Sequence, residues 1–128
     1  MHMKRLFWIG SSREDLKEFP DEVRNEMGHG LYLAQMGERH NHAKTLSGLG
    51  SAKIIEIREN DRSGTYRVVY SVEMEEFIFV LHAFQKKSKS GISTPKQDVN
   101  LIKRRLKEAE SLYKELTREN NNEKKDQI

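Results

Sequence analysis

The sequence contains no cysteine. Disulfides, thiolate nucleophiles and thiolate-held zinc are therefore excluded, and the absence fits a cytoplasmic protein. No apolar run approaches the roughly 20 residues needed to cross a bilayer, which predicts no membrane partner. The opening MHMKRLFWIG has too short an apolar segment for a secretory signal. Met1 and Met3 are both candidate starts. Proline occurs only twice, at Pro20 and Pro95, and each stands where a helix is expected to begin.

What is present is charge. Charged residues make up 34% of the chain and hydrophobic residues 35%. A length of 128 residues suits one domain with one core and a charged surface. The net charge of +3 leans only slightly towards a polyanion partner. Its distribution says more. Eight basic residues fall between positions 86 and 107, namely Lys86, Lys87, Lys89, Lys96, Lys103, Arg104, Arg105 and Lys107, against one acid, Asp98. The N-terminal third carries many of the acids. Either one basic face binds a polyanion, or these residues form a solvated helix flank and loop.

Residues 4–9 (KRLFWI) have the aromatic and branched content of a strand. Ser12 is the expected cap of a short helix, with Leu16 and Phe19 facing inward. A second helix starts near Pro20, with Val23, Met27, Leu31 and Ala34 at helical spacing and Gly37 as its stop. Gly28 and Gly30 weaken it, so either they admit a close neighbour or the helix is irregular there. Residues 38–51 read as a loop. Its His40-Asn41-His42 lacks the spaced ligands of an HNH nuclease and is read as surface loop.

Residues 53–58, 66–72 and 76–84 are expected strands, joined by turns into an antiparallel meander. In the first, Lys53, Ile55 and Ile57 share one face, and Ile54, Glu56 and Arg58 the other. The third is the most apolar and the expected central strand. After a basic loop, Thr94, Pro95 and Gln97 form a capping box. Val99, Ile102, Leu106, Ala109, Tyr113 and Leu116 then trace one helical face. Residues 117–128 are nearly devoid of apolar side chains and are expected to be a disordered tail. The predicted class is α+β: a small, mostly antiparallel sheet of about four strands, two N-terminal helices and one C-terminal helix, in a single domain over 1–116.

Several stretches carry a family likeness: KTLSGLG, the E-I-R strand, the Y-R-V-V-Y strand and LHAFQKKSKSGISTPK. Together with the element order, they resemble the RelE/ParE toxin superfamily over roughly residues 4–110, and its phage-related HigB-like branch in particular. The resemblance implies a RelE-like fold. It implies the toxin of a type II toxin–antitoxin system, cleaving mRNA on the translating ribosome without metal or cofactor. It also implies a helix-turn-helix, HigA-like antitoxin as partner.

Cleavage of RNA through its own 2′-hydroxyl needs a base, an acid and positive charge for the phosphorane. Arg67 suits the phosphate, because guanidinium grips two oxygens; it also matches the arginine of this strand in the family. His82, the only histidine on an expected strand, is the candidate acid or base. Its alternative is a core histidine. Lys87 falls where the family places a cation, and Lys53 is expected to reach the same end of the sheet. Lys86, Lys89, Lys96 and Arg58 are the expected RNA contacts. Glu56 is a further candidate base, or else only pairs with Arg58. A catalytically inactive binding member and a ParE-like gyrase poison are the competing readings.

Overall fold

A computed structural model describes residues 2–50, 53–86 and 94–126, with the side chains of the last helix described to residue 119. The elements in chain order are β1 (Arg5–Trp8), α1 (Ser12–Lys17), α2 (Asp21–Gln35), β2 (Ala43–Thr45), β3 (Ile54–Asp61), β4 (Gly64–Ser71), β5 (Phe77–Lys86) and α3 (Lys96–Asp126). The strands form one sheet in the order β1-β5-β4-β3-β2. β1 runs parallel to β5, and every other pair is antiparallel. The class is α+β as expected, with five strands rather than four. The extra one is β2, inside the stretch read as loop. Three residues are too few for a period-two pattern to register, and the strand exists because β3 offers it an edge.

The two faces of the sheet are covered by different helices. Leu16, Phe19, Val23, Met27, Leu31 and Ala34 from α1 and α2 pack on Ile55, Ile57, Val68, Tyr70, Ile78 and Val80. Ile102 and Ala109 of α3, flanked by Leu106, Leu112, Tyr113 and Leu116, pack on Ile54, Val69, Phe77, Phe79 and Leu81. The alternation in β3 assigns Ile55 and Ile57 to one layer and Ile54 to the other, as the two-residue period requires. α1 and α2 also carry the chain from one edge strand, β1, to the other, β2.

Ser12 is not the cap. Ser11 occupies that position, and its hydroxyl donates to the Asp15 carboxylate at 2.7 Å. Ser12 is buried and donates to the carbonyl of Val80 at 3.1 Å. α3 continues through Asp126, so residues 117–126 are helical where a disordered tail is expected. Among the described residues, no helix is long and apolar enough to cross a membrane.

The two glycines of α2 have different reasons to be there. A Cβ on Gly30 would lie 2.6 Å from Ile57 Cδ1 and 3.4 Å from His40 Cβ, so the missing side chain lets the helix settle on β3. A Cβ on Gly28 would meet nothing within 4 Å. Gly28→Ala should therefore stabilise by about 0.5–1 kcal/mol through helix propensity alone. Gly30→Ala should destabilise, by about 1–3 kcal/mol of overpacking. Urea midpoints of the two variants moving in opposite directions is the expected result.

Candidate functional site

A cleft of about 1000 Å³ opens on the α3 face, above β2 and β3, where α3 leaves the sheet uncovered. Asn41, His42, Lys44, Thr45, Leu46 and Ser47 line it from β2 and its flanks, Glu56, Arg58, Glu59 and Asn60 from β3, and Thr94 and Val99 from around the start of α3. The register explains why polar side chains gather here. Lys44, Glu56, Val69 and His82 are matched in one row across β2, β3, β4 and β5, and Arg58, Arg67 and Phe84 form the next.

Two arginines opposite each other on neighbouring strands repel. Glu56 resolves the conflict. One of its oxygens accepts from Arg58 at 3.2 Å, and the other accepts from Arg67 at 3.3 Å and from the Thr94 hydroxyl at 3.1 Å. Arg67 also donates to the Thr94 hydroxyl at 3.1 Å. Thr94 is thus committed to this network rather than to capping α3. Arg67 is 1% exposed and Glu56 6%, while the Arg58 side chain keeps 37% of its surface. Lys86, at the end of β5, is buried. Burial lowers its pKa, and the nearby Arg67 and Arg58 lower it further, with Glu56 opposing.

His82 lies one row away, and a bulge puts it there. His82 is opposite Val69 and Val80 is opposite Tyr70, so Leu81 has no partner. Two consecutive residues then face α3. Leu81 enters the apolar layer, and His82 places Nε2 2.7 Å from Asp98 Oδ1 and stacks on Phe84 with ring centroids 4.4 Å apart. Arg105 donates to the Leu81 carbonyl at 3.0 Å and to the Ser11 hydroxyl at 3.0 Å. It is therefore a tie between α3, the bulge and the start of α1, not part of a free basic face.

These positions correct several expectations. Arg67 does not stand open to grip a phosphate; it is a buried partner of Glu56, because the middle strand β4 is covered on both faces. His82 is sealed between Phe84 and Asp98 and is not in the cleft lining. Lys53 does not reach this end of the sheet. Its carbonyl accepts from the amide of Val72, whereas Lys86 is opposite Thr65 at the other end of β4. Seven residues of strand separate Val72 from Thr65, about 23 Å. Lys96 is exposed on the first turn of α3. Lys87 and Lys89 lie outside the described residues. Lys44 and Thr94 are in the site but were not singled out as contacts; Lys44 shows itself only once β2 is seen to pair with β3.

Burial lowers the His82 pKa from its ordinary 6.5, against the opposing pull of Asp98. The neutral ring then donates from Nε2 to Asp98, and its buried Nδ1 has no partner among the described residues. With the folded pKa depressed, the unfolded chain takes up this proton first. The contribution is fully present above about pH 6.5 and is lost as pH falls from there through the folded value. Wild-type stability should fall between pH 7 and 5 more steeply than that of His82→Gln. The difference should approach at most about 1.4 kcal/mol per pH unit, read from urea midpoints.

Three comparisons place the chain. The family model described as phage derived protein Gp49-like (DUF891) matches residues 14–107, most of the chain. No curated protein matches it significantly. Among solved structures it is similar to the E. coli toxin RelE, as a double arginine-to-alanine mutant in the free state. The TM-score is 0.51 at 19% identity, covering 68% of this chain and 87% of that one. It is also similar to the isolated E. coli RelE toxin, with TM-score 0.48, 18% identity and coverage of 79% and 97%. The toxin–antitoxin complex RelBE2 of Mycobacterium tuberculosis gives 0.47, 19%, and coverage of 69% and 97%. The first likeness shows a RelE-like fold. With a sheet and helices of that fold, and a family model spanning most of its length, the chain belongs to the Gp49-like family of phage-derived proteins.

Proposed function

We propose that this protein is the toxin of a type II toxin–antitoxin system, an endoribonuclease that cuts mRNA on the translating ribosome in the cytoplasm. A HigA-like antitoxin with a helix-turn-helix domain is its proposed silencing partner. The observation that carries the reading is the cleft floor. There a carboxylate and a half-exposed guanidinium lie side by side, backed by a second buried guanidinium.

In this reading Glu56 is the base. It takes the proton of the 2′-hydroxyl as that oxygen bonds to phosphorus. Arg58, reachable from the cleft, grips the phosphate oxygens as charge builds on the phosphorane. The bond to the 5′-oxygen breaks, and Lys86, near Arg58 and Glu56 at the end of β5, is the proposed donor of the proton to that oxygen. Its depressed pKa makes its ammonium a better proton donor. The products are a 2′,3′-cyclic phosphate and a free 5′-hydroxyl. Arg67 acts from beneath by holding the Glu56 carboxylate in orientation. His82 and Asp98 position the start of α3 and with it Thr94. Lys44 in the cleft lining and exposed Lys96, with Lys87 and Lys89, are proposed contacts to flanking phosphates, whose affinity falls with salt.

A second reading is favoured by one observation. With Arg67 and His82 buried, a member that binds RNA or a protein partner without cutting is also consistent with the site. A gyrase poison is the third. Expression in a bacterial host separates them. The expected result is growth arrest with new mRNA 5′ ends, relieved by co-expression of a helix-turn-helix antitoxin encoded beside it. Arg58→Ala, half-exposed and thus foldable, should lower cleavage about 10²–10³-fold. Arrest without new 5′ ends supports the binding reading, and accumulated gyrase–DNA adducts support the third. A folded Arg58→Ala chain that cuts like wild type overturns the site.

A further inference from the structure

The histidine pair rejected as a nuclease motif is built into something else. His40 is not a surface loop residue. Its side chain is 7% exposed, seated against α2 where Gly30 leaves room for it. His42 Nδ1 is 2.5 Å from Glu59 Oε1, and His40 Nδ1 is 3.9 Å from the same oxygen. The three potential donor atoms lie within 4.8 Å of one another. One ion bound at about 2.0–2.2 Å to each donor in tetrahedral geometry needs separations of about 3.3–3.6 Å, so the His40–Glu59 pair must close slightly and the His42–Glu59 pair open.

The surroundings of His40 are those of a ligating imidazole. His40 Nε2 is 2.9 Å from the Glu26 carboxylate, while its Nδ1 accepts the backbone amide of His42 at 3.0 Å. The proton is therefore on Nε2, and the lone pair sits on Nδ1, facing His42 and Glu59. A carboxylate on the far nitrogen of a ligating imidazole is the recurring support of a metal-bound histidine. Two imidazoles and one carboxylate suit a borderline cation, not calcium or magnesium, which prefer oxygen alone.

We propose that His40, His42 and Glu59 form a binding site for one divalent transition-metal ion of the zinc class, with Glu26 holding His40 in the ligating tautomer. On binding, the His42 amide yields its contact with His40 Nδ1, and the His42 ring, 59% exposed, swings to complete the site. The ion ties the β2 edge of the sheet to β3 and α2. His42 and Glu59 also line the cleft described above; the ion takes no part in the cleavage, and its binding is read without any measurement of cleavage.

The test is titration of the purified chain, free of any affinity histidines, with Zn²⁺ by calorimetry and with Co²⁺ by visible absorption. One ion per chain is expected, with the absorption bands of low-coordinate cobalt and a rise in Tm on loading. His42→Ala removes an exposed side chain and should leave the metal-free Tm unchanged, yet weaken binding at least about tenfold. Glu59→Gln should do likewise, and Glu26→Gln should weaken it about 10–100-fold. Absence of binding to the wild-type chain overturns the proposal. So does binding that His42→Ala and Glu59→Gln leave intact, which would place the ion elsewhere.

Discussion

The structure turns on one buried carboxylate. Glu56 is shared by Arg58 on its own strand, Arg67 on the next and Thr94 before α3. Arg67 is 1% exposed. A guanidinium is never neutral in a protein, so it must be answered by charge and hydrogen bonds wherever it is buried. Removing one partner of such a pair costs about 3–5 kcal/mol, because the other charge is left stranded. The pair therefore fixes the β3–β4 register at Arg58 opposite Arg67. It also fixes where α3 can begin, since Thr94 must arrive over Glu56. A similar demand two strands along the same row ties α3 to β5 through His82 and Asp98.

From these two anchors the cleft follows. α3 is held over the β1–β5–β4 part of the sheet by Ile102, Ala109 and the aromatic contact between Tyr113 and Phe77. The β2–β3 part is left open on that face, and the polar rows of the sheet become a floor. An expensive buried ion pair is poor evidence of stability for its own sake. In this fold its proposed value is that it presents one carboxylate and one reachable arginine, prearranged, at the bottom of an open groove.

Much of this was legible in the residues. The period-two pattern of IIEIR separated Ile55 and Ile57 from Ile54, Glu56 and Arg58, and the two layers obey it. The apolar face of α3 from Ile102 to Leu116 is where the spacing put it. What was not legible has identifiable causes. The bulge at Leu81 obeys no local pattern; it is set by pairing with β4 and secured by Arg105 from α3. Lys53 was misplaced because parity gives a side chain's face but not the end of the sheet it occupies, which depends on register. Arg67 looked like an exposed phosphate grip because nothing in YRVVY tells that β4 is the middle strand. His40 is in a loop as expected, but it is buried, because its neighbours Gly30, Glu26 and Glu59 are brought to it from two other elements. Residues 117–126 have too little apolar content to predict order, yet continue α3, since a long helix propagates at small cost once nucleated.

The central claim is that the Glu56–Arg67 pair serves function beyond folding. It is tested most directly by replacing both charges at once with apolar side chains of similar size, Glu56→Leu with Arg67→Met. The double variant removes both members of the buried pair together, leaving Arg58, whose side chain is 37% exposed, and Lys86 without that carboxylate, so it should be more stable than either single variant. Cleavage, read as new mRNA 5′ ends on expression, should be gone. A folded double variant that still cuts mRNA would contradict the account, because the catalytic carboxylate and its buried support would both be absent.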